Sequence, residues 1–243
     1  LWDYPYSFSS SVFNERIPVL KKHLTDQWRA FRTWGVSANS PWDYSTYWQL
    51  KDNAEKKPKN LIVDWGKLQR PGFSADFSER NSRMDIDVAY SRSDWISTAG
   101  EALEKNNMPL LAYIAGKRGA FTSKDHNFLP GMKFEKQLVI INNSRKDVSC
   151  ECNWTLKLPK EISGHKSVQI ETGKQIRIPL EYYLPESLAP GKYSINTLVR
   201  FSSGETQEDT FDIDVIPVTD PEKPTARIGV YDPQGQTCEL LDD

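Results

Sequence analysis

The feature that most constrains the fold is a run of short alternating segments between about residues 134 and 215. Six stretches rich in β-branched and aromatic residues are separated by turn sequences such as NNS, ETGK, LAPG and SSGE. We expect strands over residues 134–142, 149–158, 166–171, 175–182, 192–201 and 210–215. Short strands spaced in this way predict an antiparallel β-sandwich of about 100 residues.

The turn LAPGKY supplies a second indication of the same architecture. Its Pro-Gly pair opens the strand at 192–201, and Tyr193 follows two residues after the glycine. We expect the Tyr193 hydroxyl to return to the turn and bond a backbone group there, as in the tyrosine corner of immunoglobulin-like sandwiches.

A helical pattern precedes the strands. Apolar residues recur three or four positions apart at Phe13, Ile17, Leu20, Leu24, Trp28 and Phe31. This spacing predicts an amphipathic helix over residues 13–33, with Pro18 in its first turn or at a kink and Trp28 in the core. Gly35 stops the pattern. We expect a second helix over residues 93–105 and a buried strand in MPLLAYIAG.

The composition excludes several classes of protein. Lys and Arg number 31 against 33 for Asp and Glu, so the net charge is −2 and a nucleic-acid partner is not expected. No apolar run reaches the roughly 20 residues that a membrane-spanning helix needs. The three histidines are widely scattered, and the cysteines, at 150, 152 and 238, form no C-x-x-C motif, which argues against a metal site; no motif calls for a cofactor.

Tryptophan is distributed unevenly along the chain. Seven of the eight tryptophans lie within the first 95 residues, and Trp154 stands alone in the second half. The last residues differ again: ARIGVY is typical of a buried strand, DPQGQT of a turn, and CELLDD of a helix start. Since one strand and one helical turn cannot bury their own apolar faces, we expect the sequence to be a piece of a longer polypeptide.

The segment DQWRAFRTWGVSANSPWDYSTYW resembles the last strand and loop of the (β/α)8 barrel in β-galactosidase-like glycoside hydrolases. The order of parts fits the same family, in which an immunoglobulin-like sandwich and a glutamine-amidotransferase-like α/β domain follow the barrel. The resemblance implies an α+β multidomain fold. Residues 1–117 would be the closing βα part of a TIM-type barrel, with the eighth strand at 34–40 and the eighth helix at 93–105. Residues 118–218 would form the sandwich, and 219–243 a linker and the start of the α/β domain.

The resemblance also implies an activity. Such enzymes hydrolyse glycosidic bonds with two carboxylates, which the family carries on the fourth and seventh barrel strands. Both would precede Leu1, so we expect no catalytic residue in this chain and no activity from it alone. Asp43, Asp64 and Glu15 are the carboxylates that would act if the chemistry lay within the chain.

Five residues are the predicted sugar contacts of this resemblance: Trp34, Trp42, Asp43, Tyr44 and Trp48. A tryptophan at the mouth of the last barrel strand is placed to stack on the C–H face of a pyranose. The alternative for Trp34 is a place in the barrel core, and for Asp43, Tyr44 and Trp48 it is ordinary loop packing.

The expected partners are a carbohydrate substrate and the remaining domains of the same polypeptide, and assembly into a homo-oligomer is allowed. We expect neither cofactor nor metal. The location stays open, with a secreted or periplasmic setting favoured over a cytoplasmic one. The alternative function is a non-catalytic carbohydrate-binding or structural β-sandwich module.

Overall fold

A computed structural model describes residues 16–36, 47–55, 92–218 and 229–234. Two α-helices lie in these ranges, α1 at Arg16–Trp34 and α2 at Gly100–Asn107, with a short 3-10 turn at Arg92–Asp94. The ten strands are β1 Trp48–Leu50, β2 Trp95–Ser97, β3 Leu110–Ala115, β4 Asn127–Phe128, β5 Lys133–Asn142, β6 Val148–Lys157, β7 Ile162–Ile170, β8 Lys174–Tyr183, β9 Gly191–Phe201 and β10 Thr206–Val215.

Eight of the strands form two sheets. One sheet has five strands in the order β4-β10-β9-β6-β7, and the other has three in the order β3-β5-β8. Neighbouring strands are antiparallel except for the short β4, which runs parallel to β10. The remaining two strands, β1 and β2, form a separate antiparallel ribbon.

The main core fills the space between the two sheets. Alternate side chains of facing strands point into it and are fully buried, as period-2 patterning requires. The largest come from both sheets: Phe134, Leu138, Ile140 and Leu180 from one, and Leu156, Ile195 and Ile213 from the other. The two sheets therefore pack face to face as a β-sandwich.

Strand β3 is buried on both of its faces. Leu110, Ala112 and Ile114 point into the core between the sheets. Leu111 and Tyr113 point to the opposite face, which α1 covers. This double burial explains why LLAYIA is a continuous apolar run and not an alternating one.

The two helices form a layer with its own small core. Leu24 and Trp28 of α1 pack against Ala102 and Leu103 of α2, and the Trp48 side chain from β1 packs beside them. A Cβ at position 100 would overlap the Trp48 indole. Because Gly100 has no side chain, the β1-β2 ribbon can approach the start of α2 closely.

Polar side chains connect the helical layer to the sandwich. The Arg29 guanidinium of α1 donates to both carboxylate oxygens of Asp209 in β10, at 2.9 and 3.1 Å. Its Nε donates to Asn106 of α2 at 2.9 Å. Arg32 donates to the backbone carbonyls of Asn106, Met108 and Pro109. Burial lowers the pKa of Arg32, and these three acceptors stabilise its charge.

The outer edge of β3 is closed by side chains of β10. Gln207 accepts from the amide of Ala112 at 2.7 Å and donates to the carbonyl of Leu110 at 2.9 Å. Asp209 accepts from the amide of Ile114 at 2.8 Å. These two side chains take the place of a missing neighbouring strand, since buried backbone groups require partners.

Most of the predicted elements are confirmed. All six predicted strands are present, although β7 and β10 begin four residues earlier than expected. The helical pattern before Gly35 is a helix, and Trp28 is buried in the core. The Tyr193 hydroxyl donates to the carbonyl of Ala189 at 2.9 Å, as the turn sequence predicted.

The expected fold class, an α+β chain that begins with part of a (β/α)8 barrel, is wrong. Strands make up 45% of the described residues and helices 18%, so the described chain is a β-rich domain. A barrel requires parallel strands joined by helices, whereas β3 pairs antiparallel with β5 of the sandwich. The expected eighth strand fails at its first residue, since Trp34 ends α1, and the second helix begins at Gly100 instead of residue 93.

The predicted boundary between residues 117 and 118 falls just after β3, and β3 belongs to the same sheet as β5 and β8.

Among the described helices, neither is both long and apolar enough to cross a membrane.

Candidate functional site

A cleft of about 300 Å³ lies between α1 and the loop that follows β3. We call this connection, residues 116–126, the cleft loop. Ten residues line the cleft: Asp26, Gln27, Arg29, Ala30, Phe31, Trp34, Tyr113, Phe121, Thr122 and Lys124. The volume is at the lower end of the range of about 300–1,000 Å³ that is usual for small-molecule sites.

Aromatic side chains form one wall of the cleft. Trp34 is 63% exposed, and its ring lies 5.4 Å from that of Phe121 in an edge-to-face arrangement with an interplanar angle of 73°. Phe31, one turn earlier on α1, lines the same cleft. An exposed indole beside a second aromatic ring is a surface on which an apolar ligand face can stack.

The end of α1 determines where Trp34 points. Gly35 has φ +83°, and its amide donates to the carbonyl of Arg32 at 3.1 Å. The amide of Val36 donates to the carbonyl of Phe31 at 2.9 Å. This pair of bonds is a Schellman motif, which ends the helix at Trp34 and leaves the indole at the rim.

Charged and polar side chains also line the cleft. The Lys124 ammonium lies 2.7 Å from the Asp26 carboxylate and links the cleft loop to α1. Gln27 and Thr122 are further polar lining residues. These groups include both donors and acceptors, which is the combination that hydroxyl groups of a ligand require.

Tyr113 lies at the base of the cleft. Its hydroxyl is 2.6 Å from that of Thr33, and the Arg29 guanidinium lies 5.0 Å from the centre of its ring. Burial raises the pKa of Tyr113, while the Thr33 hydrogen bond and the Arg29 charge oppose that rise. The phenol is therefore neutral at physiological pH and acts as a hydrogen-bonding group.

Of the two predicted sugar contacts that the structure describes, Trp34 and Trp48, Trp34 lines this cleft. Trp48 is half-buried in the helical layer, where it packs on Gly100 and Tyr47. Trp42, Asp43 and Tyr44 lie outside the described residues, as do Asp64 and Glu15. The structure therefore separates Trp34 from Trp48. The sugar-contact roles of Trp42, Asp43 and Tyr44 stay predictions.

Sequence reasoning missed the partners of Trp34. Phe121 is an isolated aromatic among the polar and small residues of the cleft loop, and this isolation is the signal that could have singled it out. Asp26 and Lys124 are separated by almost 100 residues, and no local pattern connects them. Tyr113 was assigned to a buried strand, which is correct but does not reveal the cleft.

The described lining residues of the cleft are aromatic and polar, with a single carboxylate among them. Among its described lining residues, Asp26 is the single carboxylate, and it is ion-paired with Lys124. Glycoside hydrolysis of the usual kind requires two carboxyl groups about 5–10 Å apart. The described residues also contain no group of three or more His, Cys, Asp or Glu side chains arranged to hold a metal ion.

Comparison with known proteins gives no family. No family model matches the chain, and no curated protein does either. The CARDB domain of the PF1109 protein from Pyrococcus furiosus is 16% identical, with 44% of this chain and 87% of that domain covered and a TM-score of 0.34. A family 123 glycoside hydrolase from Clostridium perfringens is 14% identical over 47% of this chain, with a TM-score of 0.32.

This chain spans 28% of the length of that glycoside hydrolase. The transglutaminase of red sea bream is 9% identical, with 58% of this chain and 20% of that protein covered and a TM-score of 0.34. None of these three proteins is a β-galactosidase. Likenesses at this level do not discriminate between functions.

Proposed function

We propose that this chain contributes a carbohydrate-contacting cleft to a β-galactosidase-like glycoside hydrolase whose catalytic carboxylates lie outside the cleft. The observation that carries the proposal is the exposed Trp34 indole, which forms a wall of the cleft together with Phe121. The C–H face of a pyranose stacks on such a surface, and its hydroxyls pair with the polar side chains that line the same cleft. The partners of the cleft are then a carbohydrate and the other domains of the same polypeptide.

A second candidate is a non-catalytic carbohydrate-binding module. The observation in its favour is that Asp26 is the single carboxylate among the described lining residues and is already paired with Lys124. Both candidates use the same cleft. They differ in whether a sugar bound there is also hydrolysed by the polypeptide.

The first experiment compares Trp34→Ala with the wild-type chain in binding methyl β-galactoside and lactose by calorimetry, and it follows the NMR shift of the Trp34 indole in the wild-type chain. We expect Trp34→Ala to weaken binding by about 5- to 30-fold, since one stacked ring contributes on the order of 1–2 kcal/mol. Tyr183→Ala is the matched control, because Tyr183 is 72% exposed and does not line the cleft. Equal binding by all three proteins would contradict the proposal.

Turnover separates the two candidates. If the full-length polypeptide hydrolyses a β-galactoside and Trp34→Ala reduces kcat/KM, the glycoside hydrolase is supported. If the polypeptide binds the sugar through Trp34 and releases it unchanged, the binding module is correct.

A further inference from the structure

Lys136 is a buried cation beneath the cleft loop. It lies in β5 on the face that points between the sheets, and its side chain is only 2% exposed. A lysine in such a place is rare unless its ammonium is held by specific partners.

Two contacts account for the position of the Lys136 ammonium. Its Nζ donates to the backbone carbonyl of Asp125 at 2.6 Å. It also lies 3.9 Å from the centre of the Phe211 ring of β10, which places the charge over the π face. The first contact ties the end of the cleft loop to the sandwich.

The next residue of β5 ties the other end of the loop. The Gln137 side chain, on the opposite face of the strand, donates to the carbonyl of Gly116 at 2.8 Å. Within the loop, the amide of Gly116 donates to the carbonyl of Phe121 at 2.7 Å. Two adjacent side chains of one strand therefore hold both ends of the segment that brings Phe121, Thr122 and Lys124 to the cleft.

We propose that Lys136 is a positioning residue for the cleft: its ammonium sets how firmly the cleft loop closes, and closure is therefore coupled to the ionisation of this side chain. Where sugar affinity is concerned the inference rests on the proposed function, but closure of the loop itself does not require a ligand.

The charged groups around Lys136 determine the direction of this coupling. Burial lowers the pKa of Lys136 to about 8, and the neighbouring Lys124 and Lys117 charges act in the same direction, while Asp125 opposes them. From β10 the facing group is the Phe211 ring, and the nearby Asp209 is engaged by Arg29. When the loop opens, water reaches the ammonium and its pKa returns toward the ordinary value of about 10.4.

The sign follows from linkage. Burial destabilises the ammonium more than its contacts stabilise it, so the open loop binds the proton more tightly than the closed loop and opening is favoured where Lys136 is protonated. The neutral amine can still donate to the Asp125 carbonyl and hold the loop. As the pH rises through about 8, the closed state loses its proton and becomes relatively more stable. Between about pH 7 and 9.5 the opening equilibrium is expected to fall by on the order of tenfold.

Hydrogen exchange of the loop amides, corrected for intrinsic rates, measures this opening directly. In the wild-type chain we expect protection of residues 117–125 to increase by on the order of tenfold between about pH 7 and 9.5. In Lys136→Met the protection should no longer depend on pH. Lys157→Met, which removes an exposed lysine of β6, is the matched control and should behave as the wild type.

Two outcomes would overturn the inference. One is loop protection that does not change with pH in the wild type, and the other is the same pH dependence in Lys136→Met. If Lys136→Met does not fold, the NMR titration of the Lys136 side chain in the wild-type chain decides: it must titrate well below 10 and in step with the shifts of the loop amides. Failure of sugar binding with a pH-dependent loop would count against the proposed function and leave this inference standing.

Discussion

The sandwich and the helical layer are stabilised in different ways. Among the described residues, the sandwich core contains 22 buried apolar side chains, most of them from the two sheets, and the core of the helical layer contains five. The helical layer is held to the sandwich by polar contacts, chiefly the Arg29–Asp209 ion pair and the Thr33–Tyr113 hydrogen bond. Apolar area thus stabilises the sandwich, and directional polar contacts determine where the helices sit on it.

This difference matters for the cleft, because its lining residues come from both regions. Trp34 and Asp26 come from the helical layer, and Phe121 and Lys124 come from the loop after β3 of the sandwich. Movement of the helices relative to the sheet would change the cleft without unfolding the sandwich core.

The largest expected effect tests the sandwich core. Phe134 is fully buried between the sheets, and Phe134→Ala should lower the free energy of unfolding by about 3–5 kcal/mol, through lost burial and the cavity left behind. The measurement is chemical denaturation followed by circular dichroism. If the free energy of unfolding fell by less than about 1 kcal/mol, the two sheets would be able to repack around the truncated side chain. The sandwich would then not be the more rigid of the two regions.

Leu24→Ala is the matching change in the helical layer. Leu24 is 4% exposed, and its truncation should open α1 to hydrogen exchange while the amides of β6 and β9 stay protected. Equal loss of protection in both regions would show that the molecule unfolds as one cooperative unit.

The next effect tests the polar connection. Asp209→Ala removes the carboxylate that accepts from the Arg29 guanidinium and from the amide of Ile114, and it should destabilise α1 and β3 by about 1–3 kcal/mol. The measurement is the amide hydrogen-exchange protection of α1 and β3.

Asp209→Asn is the control for this change. It keeps an acceptor for the Ile114 amide but removes the charge, so it should protect β3 and still loosen α1. If neither variant changes the exchange of α1, the ion pair does not hold the helix.

The smallest effect concerns the turn before β9. Tyr193→Phe removes the hydrogen bond to the carbonyl of Ala189, and the free energy of unfolding should fall by about 0.5–1.5 kcal/mol. Tyr183→Phe, at an exposed tyrosine, should change stability by a few tenths of a kcal/mol at most. Equal values for the two variants would show that the corner bond contributes nothing measurable.

Local patterns in the sequence predicted the sandwich well. Period-2 alternation and turn residues located all six strands from β5 to β10, and the LAPGKY turn predicted the Tyr193 bond. The helix before Gly35 and the burial of Trp28 also followed from spacing alone. These features depend on neighbouring residues, because strand and helix periodicities are properties of the local backbone.

The family resemblance produced the main error. It rests on the segment that contains RTWGVS, and it places residues 1–117 in a barrel. The apolar run at 110–115 predicts only a buried strand, since such a run shows that both faces of a segment are covered but not by what. In the structure the faces of β3 are covered by the five-stranded sheet and by α1. Which partners cover a strand is decided by the tertiary fold.

What the sequence determined by itself is the set of elements: an amphipathic helix, an apolar strand and a series of alternating strands, each fixed by the spacing of apolar side chains. What only the tertiary structure decided is how those elements meet. Gln207 and Asp209 replace a strand at the edge of β3, Lys136 reaches the carbonyl of Asp125, and Trp34 meets Phe121 across 87 positions of sequence. Such contacts are set by the packing of sheets and helices, which brings together residues that no local pattern connects.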